Sequence, residues 1–252
     1  MPVLYHQSLV GTSAAAHILL AEKDIACEYK RVDPLADPAQ DDHFLTSQDM
    51  WELPLFVDDD GVKVSDAGAL LEFIDERYPL KPFMPRYPKG RWQARIWLQM
   101  MNQDLASATT ILAWSEWGRL HRDAGKIDIL ARDLAPGTGH ERRRFWVEAL
   151  KGFDKARLQA AKQKAVDKVQ AIEDQLGRTR WLAGSTYSIA DICVWPFAKE
   201  LPRLLPSHAS VAQASLMHEW IDRIATRDAV ITAMSGADNS EWMPGAEPIR
   251  WG

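Results

Sequence analysis

The pattern of apolar and polar positions changes character near residue 80. Before it, short apolar runs alternate with helical segments; from Arg91 onward only helical periodicity is found. Val3-Leu4-Tyr5 reads as a strand. A helix through Ala14–Lys23 follows, with Thr12 or Ser13 as its cap. Cys27 to Val32 reads as a second strand, ended by Asp33-Pro34, so the first two strands should be parallel with a right-handed crossover. Residues 37–50 are polar and predict irregular helix. Leu53 to Val64 reads as a hairpin about an Asp-Gly turn, and Ser65 or Asp66 caps a helix through Leu70–Arg77. Pro79, Pro82, Pro85 and Pro88 mark a linker. Helices are predicted over 91–118, 141–176, 188–201 and 215–226, with loop residues over 119–140 and 236–252.

One stretch is over-specified. In Arg180-Trp-Leu-Ala-Gly-Ser-Thr-Tyr-Ser-Ile-Ala-Asp-Ile192, Ser188 is placed to cap a helix, and Asp191, three residues on, can reach back to the free amides of the first turn. Tyr187 and Ile192 bracket that turn at the spacing of a hydrophobic staple. Such a start predicts a buried helix.

Composition narrows the function more than the fold. The 252 residues are 46% hydrophobic and 26% charged, an ordinary globular balance. A net charge of −5 argues against nucleic acid as a partner, and Arg142-Arg143-Arg144, the densest basic cluster, reads as a solvated helix face. Cys27 and Cys193 stand far apart and fit a reducing compartment. Neither a secretory signal nor an apolar run long enough for a membrane is found, so a cytoplasmic location is expected. The histidines form no HxxH or HxxxH pair, which predicts no metal site, and P-loop, GxGxxG and GxSxG motifs are absent. Ten of the eleven tryptophans follow residue 90. Trp114, Trp117, Phe145, Trp146, Phe153 and Trp195 could line an aromatic pocket, although aromatics at helical spacing are more often core.

The order β-α-β-(α)-β-β-α is that of a thioredoxin-like domain. With an all-helical half after it and the 180–192 stretch inside that half, the chain resembles the glutathione S-transferases over nearly its whole length. Gly11-Thr12-Ser13 at the first helix, Val32-Asp33-Pro34 after the second strand and Trp181-Leu-Ala-Gly184 resemble, within that family, the bacterial β-etherases of lignin breakdown. The resemblance implies an α/β thioredoxin-like domain with a mixed four-stranded sheet (1–79), a proline-rich linker (80–90) and an all-helical substrate and dimer domain (91–252).

It also implies a chemistry. Glutathione would be the cosubstrate, and a small aromatic molecule the substrate. A free thiol is mostly protonated at neutral pH, so a hydroxyl donor and the positive end of a helix must stabilise its anion. Ser13 is the candidate donor, with Thr12 beside it; both could equally be ordinary helix caps. Tyr5 is a weaker candidate. The bond Leu53–Pro54 is expected to be cis, with the Leu53 backbone aligning the cysteinyl part of glutathione. Asp66 matches the acid that takes the γ-glutamyl amino group. In the β-etherase form, the thiolate attacks the carbon next to a ketone and displaces an aryloxide.

The chain departs from the pattern next to Asp66. Ala67 stands where the family has a serine, removing a hydroxyl donor to a carboxylate, and Ser65 is one position off the match. In the loop before Pro54, Asp49 and Glu52 add negative charge and Trp51 is bulky. Two readings follow: an active enzyme, or a degraded subunit that acts as structural partner or ligand binder. Either would form a homodimer or a heterodimer with a related subunit.

Overall fold

The computed structural model describes residues 1–6, 9–32, 53–121, 148–149 and 151–235, with only the backbone of 117–121. The 37–50 segment, the Asp49–Trp51–Glu52 loop and Arg142–Arg144 lie outside the described residues.

Strands β1 (Val3–His6), β2 (Glu28–Arg31), β3 (Leu55–Val57) and β4 (Lys63–Val64) form one sheet in the order β2-β1-β3-β4. β1 and β2 are parallel, Leu4 against Tyr29; the other pairings are antiparallel, with Leu4 opposite Phe56 and Phe56 opposite Val64. The mixed thioredoxin-like sheet is therefore as the sequence predicts. The hairpin loop closes through Gly61 at φ +82°, and Asp58 accepts the Asp60 and Val62 amides at 2.9 and 2.8 Å.

Helix α1 (Gly11–Glu22) lies between the sheet and the helical half. Ala14, Ala15, Ala16, Ile18, Leu19 and Leu20 are all fully buried, as expected of a helix that is apolar all round. Its alanines let neighbours approach closely. α2 is Ala67–Arg77. The next helix starts earlier than predicted, at Pro88: α3 (Pro88–Met100) takes this proline as its first residue, where the missing N–H costs nothing. A π turn over Met101–Leu105 separates α3 from α4 (Ala106–His121).

The predicted 141–176 helix is not continuous. Gly152 at φ +95° breaks it, and Asp154 caps a new helix, α5 (Lys155–Leu176), by accepting the Arg157 amide at 2.7 Å. α6 (Ile189–Ala198), α7 (Leu201–Leu204), α8 (Ser215–Ala225) and α9 (Asp228–Met234) follow. α9 falls in a stretch for which periodicity predicted no helix.

One apolar core serves both halves, joining Leu4, Ile18, Phe56 and Leu71 to Ile172, Val194 and Trp220. Three polar devices organise the fold: one lies within the helical half, and two tie the halves to each other. Asp191, fully buried, accepts from the Leu182 amide (3.0 Å), the Ser188 amide and hydroxyl (both 3.0 Å) and the Trp220 indole (2.9 Å). The Leu182 amide is presented by the tight turn Trp181–Gly184, where Gly184 takes φ +133°. The buried Lys23–Asp75 pair (2.7 Å) holds the linker: Lys23 donates to the Lys81 carbonyl, and Asp75 accepts from the Phe83 and Met84 amides, both at 2.8 Å. The Phe83 carbonyl in turn accepts the first amide of α6, that of Ile189, at 3.0 Å. Finally, Arg227 forks onto Glu22 at the end of α1, with Nη2–Oε2 at 2.9 Å, and lies 3.9 Å over the Tyr187 ring.

Removing the Asp191 carboxylate strands the buried donors of Leu182, Ser188 and Trp220, each costing about 1–3 kcal/mol. Asp191→Ala should lose at least about 3 kcal/mol, or roughly 10 °C in thermal midpoint for a chain of this size. Asp191→Asn keeps one acceptor oxygen and should lose about half as much. Thermal denaturation of both variants checks this; midpoints within about 2 °C of the parent would contradict it.

Burial also sets a pH dependence. His17 stacks on Tyr29 with centroids 4.1 Å apart and meets the His6 ring edge-on at 4.5 Å. Desolvation, and behind it the charge of His6, push the His17 pKa from 6.5 down to about 3. Above pH 6.5 the ring is neutral folded or unfolded. Below it the unfolded chain binds a proton that the native state refuses, so stability falls by about 1.4 kcal/mol per pH unit. Asp191 works in the opposite direction: burial raises its pKa from 3.8 to about 6 despite its four donors, so its contribution falls as pH rises through that range. Comparison with His17→Phe isolates the histidine. Between about pH 6 and pH 4, denaturant titrations should show parent stability falling more steeply than that of the variant by about 1.4 kcal/mol per unit. Equal slopes would contradict the assignment.

Candidate functional site

Strand register brings the predicted site residues to one end of the sheet. β1 runs toward residue 6 and leads into α1; Tyr5 pairs with Leu55, so Leu53 and Pro54 enter β3 beside the end of β1. Val64 pairs with Phe56, so Ser65 and Asp66 leave β4 past the same edge. The Leu53–Pro54 bond is cis, as the sequence led one to expect. Pro54 is buried.

The start of α1 differs from prediction. Neither Thr12 nor Ser13 caps it. The N-cap is Val10, which has no side-chain oxygen, and the chain turns into the helix through Gly11 at φ +52°. Thr12 and Ser13 instead occupy the second and third helical positions, both buried. The first turn is thus left without a side-chain cap, and its backbone N–H groups form the positive end of the helix. Among the described residues no hydrogen bond is found for the Ser13 side chain. An uncapped helix end with an uncommitted hydroxyl suits a thiolate or another small anion. The sequence signal for this was ambiguous because Ser and Thr also dominate ordinary caps. Tyr5 lies in mid-strand, with Lys30 5.6 Å over its ring.

At the second helix the choice between Ser65 and Asp66 is resolved. Asp66 is the N-cap of α2, accepting the Gly68 and Ala69 amides at 3.1 Å each through Oδ1. No hydrogen bond of the Ser65 side chain is found among the described residues. Ala67 is the first helical residue and leaves an apolar methyl there.

Beside this terminus runs a groove of about 960 Å³ between α2, α3 and the π turn, lined by Gly68, Glu72, Arg95, Asn102, Asp104 and Lys164 among others. Sequence reasoning missed it, since nothing in Met101-Asn-Gln-Asp-Leu105 marks a π turn. Trp114, Phe153 and Trp195 are buried in the core, and the Trp195 indole donates to the Ile221 carbonyl at 3.0 Å. Phe145, Trp146 and the Trp117 side chain lie outside the described residues. Neither cysteine is in a disulfide, Cys193 being buried and Cys27 half-buried; burial first of all pushes the Cys27 thiol up to about 11, which keeps it protonated at neutral pH. No metal-binding cluster is found among the described residues, and none of their helices is long and apolar enough to cross a membrane.

Comparison with known proteins agrees with this architecture. The glutathione S-transferase N-terminal domain model matches residues 2–76 and the C-terminal domain model residues 155–223. Protein LigF of Sphingobium sp. strain SYK-6 is 22% identical over 226 residues, 84% of each chain. Glutathione S-transferase F10 of Arabidopsis thaliana is 22% identical over 231 residues, 91% of this chain and 94% of that one. Among solved structures, the β-etherase LigF of the same Sphingobium strain superposes with a TM-score of 0.79 at 20% identity, covering 93% of this chain and 98% of its own. A glutathione S-transferase from Methylobacterium radiotolerans, in complex with glutathione sulfonate, gives 0.69 at 16% identity over 96% and 97%. With both domain models matched in order on a sheet and helical half of this form, the chain belongs to the glutathione S-transferase family.

Proposed function

We propose that the protein binds glutathione at the uncapped start of α1 and transfers it to an aromatic electrophile. The finer form of this reading is thiolytic cleavage of a β-aryl ether next to a ketone, by nucleophilic displacement. The observation that carries it is Ser13, a buried residue in the first turn of a helix with no side-chain cap, whose hydroxyl makes no hydrogen bond among the described residues. Its position at the sheet edge shared with Pro54 and Asp66 supports the same site. Ser13 donates to the thiolate and, with the helix end, lowers its pKa; Thr12 shares the turn. The Leu53 backbone aligns the cysteinyl part, and Asp66 faces the γ-glutamyl amino group. The thiolate supplies the nucleophile: its sulfur–carbon bond forms as the carbon–oxygen bond to the aryloxide breaks. The likeness to LigF, a β-etherase, supports this substrate class. The same reading takes the protein as a dimer with a second copy or a related subunit, in keeping with Trp92 and Ile96, exposed one turn apart on α3.

Ala67 favours a second reading, a subunit that has lost glutathione and serves as structural partner. Kinetics separate the two. With glutathione and either an aryl halide or a β-aryl ether ketone, the parent should turn over. Ser13→Ala should lower kcat/KM by about 10- to 100-fold, the value of one donor to an anion. It should also raise the pH at which the rate reaches half-maximum. No turnover by the parent, alone or with a co-purifying partner, supports the second reading. Turnover that is unchanged in both Ser13→Ala and Thr12→Ala removes the assigned donor.

A further inference from the structure

The missing hydroxyl at Ala67 has a neighbour that sequence order hides. Gly68 is the second residue of α2, and a Cβ added there would lie 3.0 Å from Asn102 Nδ2 and 3.7 Å from Asp66 Oδ1. The Asn102 carboxamide therefore sits against the first turn of α2, beside Ala67 and the Asp66 cap. It arrives there on the π turn, whose flanking Met101 and Leu105 are anchored in the core. A π turn inside a long helix displaces the side chains it carries and is frequent at functional sites.

The carboxamide is half-buried, and no hydrogen bond of its side chain is found among the described residues. The cations of the groove are already engaged. Arg95 forks onto Glu72 with Nη2–Oε2 at 2.9 Å, and Lys164 and Lys168 lie 3.3 and 2.9 Å from the two oxygens of Asp104. Gln99 and Gln103 are exposed. Asn102 is thus the uncommitted donor closest to the α2 terminus in this groove.

Resting on the glutathione reading above, we propose that Asn102 is a substrate-binding residue whose Nδ2–H donates to the γ-glutamyl carboxylate, replacing the hydroxyl that Ala67 lacks. The carboxylate then meets a neutral donor and the positive end of α2, while its amino group meets Asp66. The pair selects a zwitterionic amino-acid end. Glycine at 68 suits the close approach of the carboxamide: a methyl there, 3.0 Å from Asn102 Nδ2, pushes the amide back by a few tenths of an ångström.

The experiment is steady-state kinetics on the full chain, with circular dichroism melts to verify folding. Asn102→Ala should raise KM for glutathione about tenfold or more with kcat within about twofold, the signature of lost binding. Asn102→Asp should be worse, and Gly68→Ala should raise KM without touching Asn102 itself. The double variant Ala67→Ser/Asn102→Ala should recover most of the parent KM, which a structural role for Asn102 would not produce. Cys-Gly, a thiol lacking the γ-glutamyl group, should be used equally by parent and Asn102→Ala. A parent that turns over glutathione with KM unchanged in Asn102→Ala overturns this proposal and leaves the wider reading intact. A parent that turns over no glutathione overturns both.

Discussion

The structure depends on one buried carboxylate. Asp191 accepts donors from the turn before α6, from the residue that starts α6, and from Trp220 on α8. A fully buried charge is tolerable only when its lone pairs are filled, and here four donors fill them. The requirement explains the surrounding sequence. Gly184 allows the turn that presents the Leu182 amide, and Ser188 presents both an amide and a hydroxyl. Once α6 is fixed, α1 has a surface to pack on, and through α1 so does the sheet.

The same logic carries the site. α1 is pinned at its C-terminal end, by Lys23 to Asp75 and the Lys81 carbonyl and by Glu22 to Arg227. Its N-terminal end is left without a side-chain cap. A helix normally satisfies its first amides with a nearby oxygen. Val10 supplies none, and the cost is tolerable because burial and pairing elsewhere along α1 hold the helix in place. Stability is concentrated at one end, and the proposed site lies at the other, beside Pro54 and Asp66.

Much of this was legible in the sequence, for physical reasons. β1, β3 and β4 were readable because Pro, Gly or Asp bounds short apolar runs; β2, charged and exposed along its length, was readable only as the stretch from Cys27 that Asp33-Pro34 ends. The Ser188–Asp191 pair was readable because capping geometry fixes its spacing. The cis bond at Pro54 followed from residue type and resemblance. Other features were hidden. Thr12 and Ser13 looked like caps because hydroxyls at a helix start usually are; only the backbone shows that Val10 takes that place. The break at Gly152 was masked by apolar periodicity on both sides, and Pro88 looked like linker although a proline is favoured at a first helical position. Asn102 lies 34 residues beyond Gly68 in sequence, and no local pattern announces the π turn that sets it there.

The central claim is that this end of the sheet is a working glutathione site despite the alanine at position 67. Isothermal titration calorimetry of glutathione into the full chain tests it most directly, because it needs no knowledge of the second substrate. The account predicts saturable heat with one site per chain. Absence of saturable heat at millimolar glutathione, from a protein whose thermal midpoint shows it to be folded, would contradict it.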